Sequence, residues 1–291
     1  MQYIPAKTMI AHAPREAWFG MDYNMNIYRG CCHGCIYCDS RSACYQNPEF
    51  DTVKAKQDAL VFLQNELKRK TKTGVIATGS MSDPYNPFEQ RLELTRGALK
   101  LIDRYGFGVA IATKSPLIAR DIDVLASIRS HSPVLAKITV TTMDDTLCKR
   151  IEQGVEPSSQ RVKAINALSE AGIYTGVLLM PVLPFINDTI ENVLDIVRAA
   201  KQAGARFVYA GMGVTLRAGQ REYFYKKLDE EFPAVRRQYE QLYGDRYSCS
   251  SPKAKELYAA LAQECEKSNI LYKMKDITRD YKSRYGQMSF F

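Results

Sequence analysis

The sequence predicts an α/β fold: about six parallel strand–helix units curled into a full or partial barrel, then a helical extension. Three observations lead to this class. Short apolar runs alternate with longer amphipathic runs from about residue 24 to 215, which is how strands buried on both faces alternate with covering helices. The residues able to do chemistry fall just after the strand runs, where parallel α/β folds gather their sites. After residue 216 strand runs give way to charged, tyrosine-rich helical spacing.

The elements follow in order. A strand just before Cys31 opens the series. Residues 51–70 read as a helix with an Asp-Thr cap and apolar positions at Val53, Leu60, Leu63 and Leu67. Residues 74–79 form a short buried strand ending in glycine, 90–105 a helix, 108–113 a strand, 116–129 a helix and 134–141 a strand. A helix over 158–171 closes at Gly172 and is followed by a strand over 173–180. A helix over 188–203 closes at Gly204 and is followed by a strand over 206–210. A series of parallel units winds right-handed, and this curls the sheet. Helical stretches at 220–243, 251–267 and 275–285 make the extension. The domain reading is an N-terminal extension over 1–23, the barrel over 24–215 and the helical extension over 216–291.

Composition narrows the class further. A hydrophobic share of 46% with 25% charged residues suits a globular chain with a sizeable core. No apolar run approaches the roughly 20 residues of a membrane span. The first residues, Met-Gln-Tyr-Ile-Pro-Ala-Lys, lack a secretory hydrophobic stretch, so a cytoplasmic location is expected. The net charge of +8 favours a polyanionic partner.

Eight cysteines are present, and five of them crowd into residues 31–44. Cys31, Cys35 and Cys38 have the spacing Cys-x3-Cys-x2-Cys, between Gly30 and Asp39. Three thiolates at this spacing can wrap a four-iron cluster and leave one iron without a protein ligand. The alternatives are structural zinc, with Cys32, His33 or Cys44 as a fourth ligand, and a disulfide framework. Cys148, Cys249 and Cys265 stand isolated, so the second Cys/His pair usual for zinc is missing. The crowding and the expected reducing compartment weigh against disulfides.

Four runs carry a resemblance to a known family. They are Asn26-Ile-Tyr-Arg-Gly-Cys-Cys-His-Gly-Cys-Ile-Tyr-Cys, Ser82-Asp-Pro-Tyr-Asn-Pro, Thr113-Lys-Ser-Pro-Leu-Ile-Ala-Arg-Asp121 and Thr139-Val-Thr-Thr-Met-Asp-Asp145. Together they resemble the spore photoproduct lyase-related (DNA repair photolyase-like) branch of the radical S-adenosylmethionine (SAM) superfamily. The resemblance covers residues 24–215 well and the tail loosely. It implies a partial (β/α)6 barrel of TIM type and a radical SAM enzyme. It also implies Cys31, Cys35 and Cys38 as ligands of a [4Fe-4S] cluster, with SAM on the open iron. Tyr37 would pack near the adenine. Ser82, beside Asp83, would contact the methionine amino group, and Lys114 would pair with the carboxylate. Thr139 or Thr141 would touch the ribose or the carboxylate. A flavodoxin- or ferredoxin-like protein would supply the electron, and nucleic acid is the expected substrate.

The departures from that branch are informative. In the spore photoproduct enzymes a cysteine on the second-strand loop gives the final hydrogen atom, and a tyrosine follows the third cluster cysteine. The corresponding positions here are Ser80 and Asp39, and a serine O–H is too strong to replace the thiol. Tyr37, Asp39 and Ser80 are therefore the candidate catalytic positions, with a reaction different from spore photoproduct cleavage. The expected alternative is radical chemistry on a peptide or small molecule, or a metal-stabilised nucleic-acid-binding module. The last residues, Gln-Met-Ser-Phe-Phe from Gln287 to Phe291, resemble the peptide by which bacterial repair proteins dock into a sliding clamp. Basic residues Lys68, Arg69, Lys70 and Lys72, and a run from Lys273 to Arg284 interleaved with tyrosines, fit phosphate contacts and base stacking.

Overall fold

A computed structural model describes residues 1–13 and 18–285. The terminal peptide from Gln287 to Phe291 lies outside them. In chain order the strands are β1 (Gln2–Ile4), β2 (Ile10–His12), β3 (Tyr23–Met25), β4 (Tyr28–Arg29), β5 (Lys54–Lys56) and β6 (Val75–Thr78). They continue with β7 (Gly108–Thr113), β8 (Val134–Thr139), β9 (Tyr174–Leu179), β10 (Phe207–Ala210), β11 (Gly213–Thr215) and β12 (Ser248–Ser250). The helices are α1 (Ala59–Arg69), α2 (Glu89–Leu92), α3 (Leu94–Arg104), α4 (Ile122–Arg129), α5 (Asp145–Ile151) and α6 (Ser158–Glu170). After them come α7 (Ile190–Gln202), α8 (Gln220–Glu231), α9 (Val235–Tyr243), α10 (Ala254–Lys267) and α11 (Met274–Lys282).

The main sheet has the order β10-β9-β8-β7-β6-β3-β2. Its first six strands in that order run parallel, and β2 adds antiparallel to β3. Five of these are predicted parallel strands; the sixth, β3, lies earlier than the strand expected just before Cys31, where β4 instead pairs antiparallel with β5 in a separate sheet. With their covering helices the six form the expected partial barrel. Every residue of β6, β7 and β8 is buried, because both faces of these strands are covered. Alternate residues separate into two packing layers. Ile76, Val109, Ile111, Ala136, Ile138, Val177 and Val208 pack under the helices. Val75, Ala77, Ala110, Ala112, Leu135, Leu178 and Phe207 face the barrel interior with Phe19 and Met21.

The barrel does not close: β10 and β2 are the two edges of the sheet. A short 3-10 turn, Trp18–Gly20, fills this seam. Phe19 meets Phe207 and Tyr209 at ring-centroid distances of 5.7 and 5.3 Å. Helix α11 backs the turn, with the Tyr281 hydroxyl donating to the Phe19 carbonyl at 2.8 Å and the Lys282 ammonium donating to that of Gly20. Leu271, before α11, bridges the free edge of β10 at Phe207.

Several local expectations are corrected. The helix expected over 51–70 begins only at Ala59, because Lys54–Lys56 pairs with β1 on one side and β4 on the other and buries Ala55 completely. The stretch 220–243 breaks into α8 and α9 around Pro233 and Ala234, the latter at φ 72°. The extension is not purely helical, since β12 within it pairs antiparallel with β11 at the end of the barrel segment. The tail's tyrosines at 281 and 285 are committed to packing, whereas Lys273, Lys275, Arg279 and Arg284 are exposed. Tyr281 is buried, Tyr285 donates to the Arg129 carbonyl at 2.6 Å, and Arg279 pairs with Asp276 at 2.6 Å. Among the described residues no helix is long and apolar enough to cross a membrane.

Candidate active site

The loop after β4 carries the cysteine motif and is pinned from several sides. Gly30 begins it at φ 79°, where a Cβ would lie 2.4 Å from the Thr52 carbonyl oxygen and 2.7 Å from that of Phe50, so only glycine fits. The Cys31 amide donates to the Phe50 carbonyl at 2.8 Å, and the Ile36 amide to that of Ile151 at 3.0 Å. The Gly154 amide donates to the His33 carbonyl at 2.8 Å, and Cys35 bridges Glu152.

This anchoring turns Cys31, Cys35 and Cys38 toward one cleft at the C-terminal mouth of the barrel. Ser80, Ser82, Asp83, Lys114 and Thr139 line the same cleft, from the ends of β6, β7 and β8. All eight cysteines are free thiols. Among the described residues, no three His, Cys, Asp or Glu side chains gather as a single metal ion would require. A four-iron cluster asks for something else, since each of its three thiolates takes a different iron.

Electrostatics set the cleft apart. Lys114 is half-buried at the cleft, and burial alone would lower its pKa. The facing Cys35 and Cys38 with Glu152 and Asp83 reverse this and raise it above the usual lysine value, so the ammonium stays charged. Its Nζ stands 5.6 Å over the Tyr37 ring. Burial pushes the Cys35 and Cys38 thiols up. For Cys31 burial acts the same way, but a hydrogen bond with His33 and its charge prevail and bring the thiol below its usual value. A bound cation would favour the thiolates, and three inward thiols beside a charged lysine fit a cluster carrying an amino-acid ligand.

Asp83 organises the mouth rather than offering a free carboxylate. It accepts from the Thr113 hydroxyl at 2.6 Å, the Tyr85 amide at 2.9 Å and the Lys114 amide at 2.8 Å, and lies 3.5 Å from His33 Nδ1. Ser82 donates to the Gly30 carbonyl at 2.5 Å, which ties the second-strand loop to the cysteine loop. Ser80 stands exposed at the lip. Thr139 reaches the cleft, whereas Thr141 does not line it and leaves a buried hydroxyl without a partner among the described residues.

Two predicted catalytic positions sit elsewhere. The Asp39 carboxylate accepts from Tyr45 at 3.0 Å and Thr215 at 3.4 Å and lies 3.5 Å from the Arg217 guanidinium, so it joins the cysteine loop to β11 instead of entering the cleft. The Tyr37 hydroxyl donates to Glu152, beneath the cleft.

Glu152 and Arg161, both fully buried, were not singled out in the sequence. Their side chains pair at 2.6 Å, and Arg161 also donates to the Thr139 and Glu156 carbonyls at 2.8 Å. This pair locks the cysteine loop, α5, α6 and the end of β8 together. In the sequence each looks like an ordinary helical charge, and only the three-dimensional contact distinguishes them. A second brace joins three of the quoted runs. Tyr85 donates to Asp121 at 3.1 Å, Arg120 pairs with Asp121 at 2.8 Å and with Glu89 at 2.9 Å, and Tyr28 donates to Glu89 at 2.5 Å.

The family model of the radical SAM superfamily matches residues 25–197. The chain is 30% identical over 244 residues to an uncharacterized protein of Mycobacterium tuberculosis, covering 81% of this chain and 72% of that protein. It is 32% identical over 172 residues to an uncharacterized protein of Methanocaldococcus jannaschii, covering 58% and 63%. Among solved structures it is similar to spore photoproduct lyase complexed with dinucleoside spore photoproduct, with a TM-score of 0.64 at 13% identity over 91% of this chain and 79% of that one. It is also similar to the radical SAM methyltransferase TsrM of Kitasatospora setae with cobalamin and a [4Fe-4S] cluster bound, with a TM-score of 0.58 at 13% identity over 90% and 61%. The matched region contains the cysteine loop and every strand end that lines the cleft, and the chain belongs to the radical SAM superfamily.

Proposed function

We propose that this enzyme performs radical chemistry on a nucleobase or its sugar in nucleic acid, as a repair or modification step distinct from spore photoproduct cleavage. The observation that carries the reading is the convergence of Cys31, Cys35, Cys38, Ser82, Lys114 and Thr139 on one cleft above the barrel interior. Family membership brings a [4Fe-4S] cluster and SAM as cofactors. Bound there, the pair would supply radical chemistry that begins with one-electron cleavage of the sulfonium and removes hydrogen from the substrate.

The chain's own residues hold and orient. Cys31, Cys35 and Cys38 would hold the cluster, Lys114 would pair with the SAM carboxylate, and Ser82 and Thr139 would position its polar atoms. Asp83 fixes the Lys114 backbone through the 2.8 Å amide bond, so the lysine is held before the ligand arrives. Tyr37 packs under Lys114. Ser80 at the lip cannot return a hydrogen atom as a thiol would, so the reaction ends by another route.

Nucleic acid is supported by the net charge of +8 and by the similarity to a structure holding a dinucleoside. Anaerobic reconstitution tests the chemistry: roughly four irons per chain and 5′-deoxyadenosine on reduction are expected. Binding of a single-stranded oligonucleotide should weaken steeply as salt rises. SAM cleavage without salt-dependent oligonucleotide binding would move the substrate to peptides or small molecules.

A further inference from the structure

Lys137 and Gln220 are buried polar side chains outside the residues just assigned. Lys137 on β8, 1% exposed, is sealed with its Nζ 4.9 Å from the Trp18 and Phe19 ring centroids. Gln220 has a different setting. It is fully buried at the first position of α8, beyond the matched region 25–197, and it reaches back to the cysteine loop. Its Nε2 donates to the Tyr37 carbonyl at 3.2 Å, and its Oε1 accepts from the Arg217 amide at 2.9 Å. One partner is an acceptor and the other a donor, so a side-chain amide satisfies both in one orientation only.

The Tyr37 carbonyl belongs to the planar peptide unit that leads into Cys38. On the other edge of that unit, the Cys38 amide donates to the Cys35 carbonyl at 3.2 Å. Gln220 and Cys35 thus fix both edges of the plane, and with it the direction in which the Cys38 side chain leaves the backbone. The segment 217–220 meets the loop at two further points. The Ala43 amide donates to the Ala218 carbonyl at 2.9 Å, and Arg217 stands 3.5 Å from Asp39. Gly219 permits the close approach: at its φ of 81°, a Cβ would lie 3.2 Å from the Ala43 nitrogen.

We infer that Gln220 is a positioning residue for the cluster, whose amide holds the peptide between Tyr37 and Cys38 so that the third thiolate points at its iron. The inference rests on Cys31, Cys35 and Cys38 as cluster ligands, and it makes α8 part of the cofactor site. Without the amide, the Tyr37 carbonyl and the Arg217 amide both lose a partner. Removing a group that orients a metal's ligand costs about 10- to 100-fold in metal affinity.

Iron loss from the anaerobically reconstituted protein to an excess of chelator tests this. Gln220→Leu, close in volume and without hydrogen-bonding atoms, should lose iron about 10- to 100-fold faster than wild type. It should also change the electron paramagnetic resonance spectrum of the reduced cluster. Leu261→Ala opens a cavity in α10, which packs on α7, and should lower the denaturant midpoint while leaving both readouts unchanged. Gln220→Glu keeps an acceptor for the Arg217 amide but, in alkaline buffer, offers Tyr37 no donor. It should lose iron as fast as the Leu variant, and it decides the matter if that variant does not fold. Iron loss at the wild-type rate from either Gln220 variant overturns the inference, as does equal acceleration by Leu261→Ala. Wild-type protein that takes up no four-iron cluster overturns the ligand assignment and the inference with it, a result seen before any variant is compared.

Discussion

Lys137→Met should make the protein more stable, and by an amount that depends on pH. The amine is pushed from 10.5 down to about 7 by burial, while an unfolded chain exposes it at its ordinary value. Below pH 7 the folded protein must carry a buried charge, at a cost near 3.5 × 1.36, or about 5 kcal/mol. Between pH 7 and 10.5 the unfolded state binds the proton and the folded state does not, so stability rises with pH across this window. At pH 9 the remaining cost is about 2 kcal/mol. Methionine fills nearly the same volume without a charge, so the gap between variant and wild type should widen from pH 9 to pH 6 by roughly 2–3 kcal/mol. Denaturant midpoints of both proteins at pH 6, 7.5 and 9, with m-values compared, measure it. Equal midpoints throughout, or a gap that narrows toward acid, would refute the account of a buried amine.

Three further outcomes follow from the geometry. Arg161→Met leaves Glu152 buried and unpaired and should cost about 3–5 kcal/mol, with partial recovery in the Glu152→Gln/Arg161→Met double variant by thermal unfolding. Gly30→Ala forces a Cβ against the Thr52 and Phe50 carbonyl oxygens at a positive φ. That should cost on the order of 1–3 kcal/mol and lower the iron retained after reconstitution. Lys114→Met removes a charged contact worth about 1.5–3 kcal/mol. KM for SAM should rise about 10- to 100-fold, measured through 5′-deoxyadenosine formation, while the three thiols still take up iron.

How much of this was legible before the structure differs by element. Five of the six parallel strands were readable because each is a largely apolar run whose burial needs no particular partner, whereas β3, Tyr-Asn-Met, lies earlier than the strand expected just before Cys31. Lys54–Lys56 was misread, since a strand of alternating charge is stabilised only by Gln2–Ile4 and Tyr28–Arg29, distant in sequence for the former. Cys31, Cys35, Cys38, Ser82, Lys114 and Thr139 stood out by spacing or by their place after strands, and the structure brings them together. Asp39 stood out by adjacency alone, and the turn after Cys38 carries it away to Arg217. Glu152 and Arg161 gave no signal because a buried ion pair between neighbouring helices looks like two surface charges. Lys137 was hidden for a related reason: a single lysine in an apolar strand does not reveal which face it takes.

Five of the eight cysteines crowd the segment that opens onto the cleft, and the chemistry begins with three of them. The most direct measurement is 5′-deoxyadenosine released from SAM by the reconstituted, reduced protein and by its Cys35→Ala variant, with iron counted in each. Wild type should carry about four irons per chain and cleave SAM, and the variant should lose cleavage. Cleavage that survives Cys35→Ala, or a wild type that binds one tightly held metal ion and leaves SAM intact, would contradict the cluster assignment.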